Sequence, residues 1–309
     1  MNSPEPIFLN ADQPLNNALD DAQRLSDELI ARVKLGDVLR KLKAIDESGL
    51  ERIVNHQRST GQLFGQAAVA LKLVDESTVA RALAEQEQLA VDESVSGALS
   101  KELIAAHEPF SPEVESLRAL RTRLLFELRR DSTRGSARSI ALVSADEGEG
   151  RSWLAGNLAV VFAQLGTSTV LIDADLRRPR QHELFGHPDH DGLVSWLSGR
   201  SQRPAIRRVE SVAHLHLLPA GSRPPNPQEL LSGDLFARSL GALSREAQFA
   251  IVDTSPASLY ADFTFAVLAA DAVVLVVRRR TAQRRVQALV DQLRVLGRTP
   301  IGIVFNNRR

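Results

Sequence analysis

Six short, almost uninterrupted apolar runs decide what the C-terminal part of this chain can become. They are "SIALVSA" (139–145), "STVLIDA" (168–174), "LHLLPA" (215–220), "FAIVDT" (249–254), "AVVLVV" (272–277) and "IGIVFN" (301–306), and stretches of helical periodicity separate them. Runs of this kind suit strands buried on both faces, and that burial requires helices on either side of a mostly parallel sheet. The expected fold class is therefore α/β, a doubly wound sheet.

The unit "SIALVSADEGEGRSWLAGNLAVVFAQLG" joins the first run to a helix through a glycine-bearing turn. Backbone N–H groups in such a turn, and the N-terminus of the helix it opens, point at anionic oxygens, and glycine lets the backbone come close to them. The spacing from Ala145 to Gly150, then Arg151 and Ser152, fits the phosphate-loop template, with alanine at its first position and arginine in place of lysine. A guanidinium keeps the positive charge and can donate to β- and γ-phosphate oxygens, although it is planar and bulkier than an ammonium. Acidic residues end two further runs: Asp173 and Asp175 in "LIDADLRRP", and Asp253 in "AIVDTSP". Strand carboxyl ends in an open α/β sheet border one crevice, which would gather the three carboxylates. Ser152 as a direct ligand, with Asp175 and Asp253 acting largely through water, suits the octahedral oxygen shell of Mg²⁺. The candidate nucleotide contacts are Glu147, Gly148, Glu149, Gly150, Arg151, Ser152 and Trp153, with Asn306 at the end of the last run offering its amide to an adenine edge.

A second organisation precedes the sheet. Residues 1–25 are polar and rich in Asn, Asp and Pro, the composition of a flexible arm. From there to about residue 90 the chain repeats itself: "LGDVLRKLKAIDESGLERIVNHQ" (35–57) aligns with "FGQAAVALKLVDESTVARALAEQ" (64–86) at an offset of 65 − 36 = 29 positions. Each copy carries apolar residues at helical spacing, and the "DES" triplet has the form of a helix N-cap with an acidic first turn. A small duplicated helical domain that binds nothing accounts for this pattern as well as a binding module does. Periodicity lapses over 91–111, read as a linker, and a long helix is expected from Pro112. The α/β domain then occupies 112–309.

Charge argues for no polyanionic partner, since 38 Lys and Arg balance 38 Asp and Glu. The basic run "RRRTAQRR" (278–285) has no aromatic residues interleaved and reads as the exposed start of a late helix, so no nucleic acid is expected. With no cysteine in the chain, disulfides, thiolate metal sites and cysteine nucleophiles are excluded. No signal-like or 18-residue apolar stretch occurs, which suggests a cytoplasmic location.

The strings "GEGRSWLAGNLAVVFAQLG", "LIDADLRRPRQHELFG", "LPAGSRPPNPQELL" and "IVDTSP" give segment 112–306 a resemblance to the catalytic domain of bacterial tyrosine kinases (BY-kinases). These are relatives of MinD-type P-loop ATPases, and the likeness is to the EpsG-type chain-length-determinant kinases. The resemblance implies an ATP- and Mg²⁺-dependent tyrosine kinase of exopolysaccharide biosynthesis, chain-length control and export. The alternative is a nucleotide-dependent scaffold or switch of the export apparatus. By the same resemblance the glycine loop is Walker A, Asp173 and Asp175 are Walker A′, Asp253 is Walker B, and Arg151, Asp173 and Asp175 are catalytic, with Asp173 accepting the tyrosine proton. Glu115, Arg118 and Arg121 in "EVESLRALR" match an E-x-x-R-x-x-R motif through which family members build rings, implying a homo-oligomer. A membrane-embedded polysaccharide co-polymerase is the implied partner, holding the chain at the periphery of the inner membrane. Many relatives end in a tyrosine cluster, whereas Tyr260 is the single tyrosine here, so phosphorylation of the chain's own tail is not expected. The N-terminal repeat resembles the MshEN-like domain of secretion ATPases, implying cyclic di-GMP as a ligand. Lys34, Arg40 and Lys43 depart from that motif, which prefers arginine, an aliphatic residue and glycine at those positions.

Overall fold

The computed structural model describes residues 35–86, 99–130, 138–188 and 190–307, and the chain divides into two compact units at residues 87 and 88. The expected arm over 1–25 and the Lys34 position lie outside the described residues.

The described residues of the first unit form four helices: α1 (Leu35–Lys41), α2 (Glu47–Thr60), α3 (Phe64–Ala70) and α4 (Glu76–Gln86). The duplication seen in the letters recurs in the backbone. Asp46 accepts the Gly49 N–H and Asp75 accepts the Thr78 N–H, each at 2.7 Å, so both copies start their second helix with the same cap. Lys43 and Lys72 both have φ of 54°, the left-handed conformation that ends a helix, and the residue after each donates back into the preceding helix, to Leu39 and Ala68. Positive φ favours glycine on steric grounds, and lysine occupies position 43 at some cost in backbone strain. A Cβ on Gly36 would meet Leu50 at 2.5 Å, and one on Gly65 would meet Val79 at 2.7 Å, so glycine sets the approach of each helix pair. Val38, Leu39, Ile45, Ile53, Ala67 and Ala68 form the core.

The second unit begins with α5 (Ile104–His107) and the long α6 (Pro112–Arg130). There follow β1 (Ser139–Ser144), α7 (Arg151–Ala163), β2 (Thr169–Asp173), α8 (Gln181–Leu184), α9 (Leu193–Leu197), β3 (Arg207–Arg208) and β4 (Leu215–Leu218). The chain continues through α10 (Pro227–Ser232), α11 (Asp234–Glu246), β5 (Phe249–Asp253), α12 (Phe263–Ala269), β6 (Ala272–Arg278), α13 (Gln283–Val295) and β7 (Gly302–Asn306). The strands form one sheet in the order β3-β4-β2-β5-β1-β6-β7, parallel throughout except for β3 against β4. Alternate residues feed opposite layers: Ile140 and Leu142 pack with Leu117, Leu158 and Phe162, whereas Ala141 and Val143 pack with residues of α12. Helix α7 is buried at every position from Leu154 to Ala163, which is why its apolar residues go all the way round.

All six expected strands are present, and β3, two arginines at an edge, is added. No apolar run marks it. β7 departs from the both-faces-buried expectation: Ile303 and Phe305 are 48% and 67% exposed, as an edge strand with one uncovered face permits. Residues 99–107, within the stretch expected to be a linker, pack into the sheet unit instead. The Ala105 N–H donates to Asn157 Oδ1 at 2.9 Å and the Trp153 indole donates to the Glu102 carbonyl at 2.7 Å, with Leu103, Ile104 and Ala105 in the core. Periodicity misses this segment because a four-residue helix has too few turns to show it. The run 278–285 is exposed and leads into α13, as expected. No described helix is long and apolar enough to cross a membrane.

Candidate active site

β1 ends at Ser144 and α7 opens at Arg151, and the six residues between them form the glycine loop. Gly148 and Gly150 have φ of 78° and 85°, a conformation that L side chains rarely adopt. A Cβ on Gly150 would strike the Asn306 amide, which donates to the Glu149 carbonyl at 3.0 Å. Asn306, expected to meet an adenine edge, also supports the loop through its amide nitrogen. Glu149 is 3% exposed, and its carboxylate accepts the Asp146 N–H at 2.8 Å and the Thr281 hydroxyl. Trp153 is occupied with Glu102, so its side chain anchors the start of α7. All seven expected loop contacts, Glu147, Gly148, Glu149, Gly150, Arg151, Ser152 and Trp153, lie along the cavity wall, and Glu147 pairs with Arg178.

Parallel pairing of β2 with β5 sets Asp173 beside Asp253 in register, and Asp175 follows two residues later. The three carboxylates do gather at the strand ends, but they have different surroundings. Asp173 is fully buried. One of its oxygens accepts the N–H groups of Arg180 and Gln181, both at 2.9 Å, and the other accepts that of Asp175 at 3.2 Å. Burial, then the neighbouring Asp253, pushes its pKa well above the ordinary 3.8. The expected proton acceptor is therefore a carboxylate with both oxygens engaged by backbone. Asp175 lines the cavity. Burial raises its pKa, and Arg151 works in the opposite direction.

Arg151 itself points into this acidic cluster. Its Nε donates to Asp253 at 3.0 Å, Nη2 to Asp175 at 2.9 Å and Nη1 to the Ser144 hydroxyl at 2.9 Å. The charge expected to meet phosphate here is shared between two carboxylates.

Gln181 escaped the sequence reading. Its Nε2 donates to Asp253 at 2.7 Å and to the Ser152 carbonyl at 3.0 Å, joining the end of β5 to the first turn of α7. Its place just after "DLRRPR" was the only clue. Arg178, Arg180 and Arg223 also line the cavity, and Arg180 pairs with Glu102.

The ring motif is only partly displayed. Glu115 is 62% exposed and pairs with Arg118 of its own helix, while Arg121 donates to the Val161 carbonyl at 2.5 Å, near the C-terminal end of α7. Arg118 Nη2 and Arg121 Nε are buried without a hydrogen-bond partner among the described residues. Tyr260 lies under Arg177, whose guanidinium carbon is 4.2 Å from the ring centroid and which grips Asp262 at 2.6 and 3.2 Å.

The cavity measures about 500 Å³. Helix α7 turns its unpaired first-turn N–H groups and its positive end toward the loop, which suits an anionic oxygen ligand. Ser152, Asp175 and Asp253 are all-oxygen donors, the chemistry a hard divalent cation requires. The residues therefore fit a nucleotide polyphosphate with its cation.

No family model matches the chain. It is 33% identical over 212 residues to the tyrosine-protein kinase YwqD of Bacillus subtilis (strain 168), covering 68% of this chain and 88% of that one. It is 30% identical over 155 residues to the tyrosine-protein kinase wzc of Salmonella typhi, covering 50% of this chain but 21% of that one. Among solved structures, the BceF tyrosine kinase domain superposes with a TM-score of 0.60 at 33% identity, over 66% of this chain and 81% of that one. By this similarity along almost the full length of the Bacillus kinase, on a sheet that gathers a glycine loop and three strand-end acids, the chain belongs to the bacterial tyrosine-protein kinase family.

Proposed function

We propose that this chain is an ATP- and Mg²⁺-dependent protein tyrosine kinase. The observation that carries the reading is the meeting of the left-handed glycine loop with Ser152, Asp175 and Asp253 at one end of the sheet. Loop N–H groups and Arg151 would hold the β- and γ-phosphates, and Ser152, Asp175 and Asp253 would face the cation. When bound, Mg·ATP supplies the transferable phosphoryl group and the charge neutralisation that phosphoryl transfer requires. Gln181 and the backbone around Asp173 would keep the two outer acids in place, leaving an incoming tyrosine hydroxyl to lose its proton to a separate acid. Sequence resemblance alone favours Asp173 for that role.

The finer reading extends the same proposal. The chain serves exopolysaccharide chain-length control and export as an EpsG-type kinase, in the cytoplasm. It docks to a membrane-embedded co-polymerase and assembles in a ring through Glu115, Arg118 and Arg121. The match to about a fifth of wzc supports a partner in trans, because that relative carries much chain that these residues do not match. The helical unit, with boundaries near 26 and 90, is an MshEN-like module.

The test is transfer from γ-labelled ATP to a tyrosine-bearing acceptor, with and without the cytoplasmic tail of the co-polymerase. Label on the acceptor, lost in Asp253→Ala, supports the kinase. Release of ADP with no labelled protein under any condition would overturn it and leave the nucleotide-driven switch. That second reading is favoured by Tyr260, the single tyrosine of the 309 residues, being held under Arg177.

A further inference from the structure

The phosphate-loop arginine lies where the proposed cation would find its carboxylates. All three guanidinium nitrogens are engaged, on Asp253, Asp175 and Ser144, and the side chains of Arg151, Asp175 and Asp253 are 8%, 4% and 0% exposed. We propose that Arg151 is an internal counter-ion that closes the acidic pocket of the nucleotide-free chain. A divalent cation then gains Asp175 and Asp253 only after phosphate oxygens have drawn the guanidinium out. The inference rests on the nucleotide-site reading and adds an order of events to it.

The residue type supports the role. A guanidinium is a planar fork and can bond two carboxylates and a hydroxyl at once, whereas an ammonium is a single point on a flexible stem. Arginine in place of lysine is therefore what closure of this pocket requires. The exit is short, because Arg151 is the first residue of α7 and lines the same cavity as Gly148 and Gly150. Asp253 does not depend on Arg151 alone for its position. Gln181 holds its second oxygen at 2.7 Å, so the carboxylate stays in place when the arginine leaves.

The test uses the whole chain and Mn²⁺ as the probe, with free Mn²⁺ followed by electron paramagnetic resonance in the absence of nucleotide. Arg151→Ala is expected to bind Mn²⁺ at least about tenfold more tightly than the wild type, the size of an ordinary coupling between sites, with Arg151→Lys in between. Equal affinity in the wild type and Arg151→Ala overturns the gate. ADP titrated into the wild type in EDTA is expected to bind and to shift the Arg151 Nε–H resonance. If ADP binds neither with nor without Mn²⁺, it is the nucleotide-site reading that fails. Should Arg151→Ala not fold by circular dichroism, the wild-type resonance decides. Protection from solvent exchange without ADP, lost on its addition, sustains the gate, and a freely exchanging signal in the nucleotide-free chain overturns it.

Discussion

Two pairs of left-handed backbone positions set the halves of this molecule against each other. In the helical unit Lys43 and Lys72 both stand at φ 54°, while in the sheet unit Gly148 and Gly150 stand at 78° and 85°. The conformational demand is nearly the same, yet a long charged side chain satisfies it in one place and the smallest residue in the other. Both lysines are exposed, so only local strain opposes them. Gly150 is pressed against the Asn306 amide, and Gly148 borders the cavity that phosphates would enter. A repeat that serves packing tolerates strain at its turns, whereas a loop built to let a ligand approach the backbone does not.

The largest break in that comparison should come from charge. Asp253→Ala leaves Arg151 buried and half-partnered, a loss of about 3–5 kcal/mol for a broken buried pair, read by urea unfolding of the sheet unit. Next comes Gly150→Ala, which combines left-handed strain of about 1–3 kcal/mol with the collision at Asn306. We expect a lower melting temperature together with weaker ADP binding, and unchanged ADP affinity would show that the loop does not need its close approach.

A pH series sharpens the contrast in sign. Asp173 has a raised folded pKa, so its contribution to stability is whole below 3.8 and is lost as pH climbs through the elevated value. Asp75 of the helical unit is lowered by hydrogen bonds from Thr78 and Ser77, so its contribution is present above 3.8 and disappears as pH falls through the depressed value. Asp173→Asn should flatten the decline of sheet-unit stability above pH 4, and a profile identical to wild type would contradict its burial as a charge.

The smaller effects belong to the helical unit. Lys43→Gly should stabilise it by about 0.5–1 kcal/mol, since only glycine sits at positive φ without strain. Smallest is Glu47→Ala, which removes an exposed pair with Arg40 and should shift the unfolding midpoint by under about 0.5 kcal/mol.

What could be read in advance followed the reach of each signal. The strands were legible because burial on both faces leaves a continuous apolar run, and the strand-end acids followed from the same topology. β3 is two arginines long and carries no such mark, and β7 loses one layer of cover at the sheet edge. The loop was legible in its spacing, but the directions of its side chains were not. That the side chains of Glu149, Trp153 and Asn306 bond within the protein depends on partners more than 50 residues away, at Thr281, at Glu102 and, for Asn306, in the loop itself. Gln181 stayed hidden for the same reason, since its partners converge only after β2, β5 and α7 are assembled.

Glu149 has a mechanical consequence. Because its carboxylate ties the glycine loop to the turn after β6, the loop backbone is already ordered when a ligand arrives. The entropy a ligand must overcome is then that of one side chain and not of a whole segment, which leaves selectivity to whatever can dislodge that side chain.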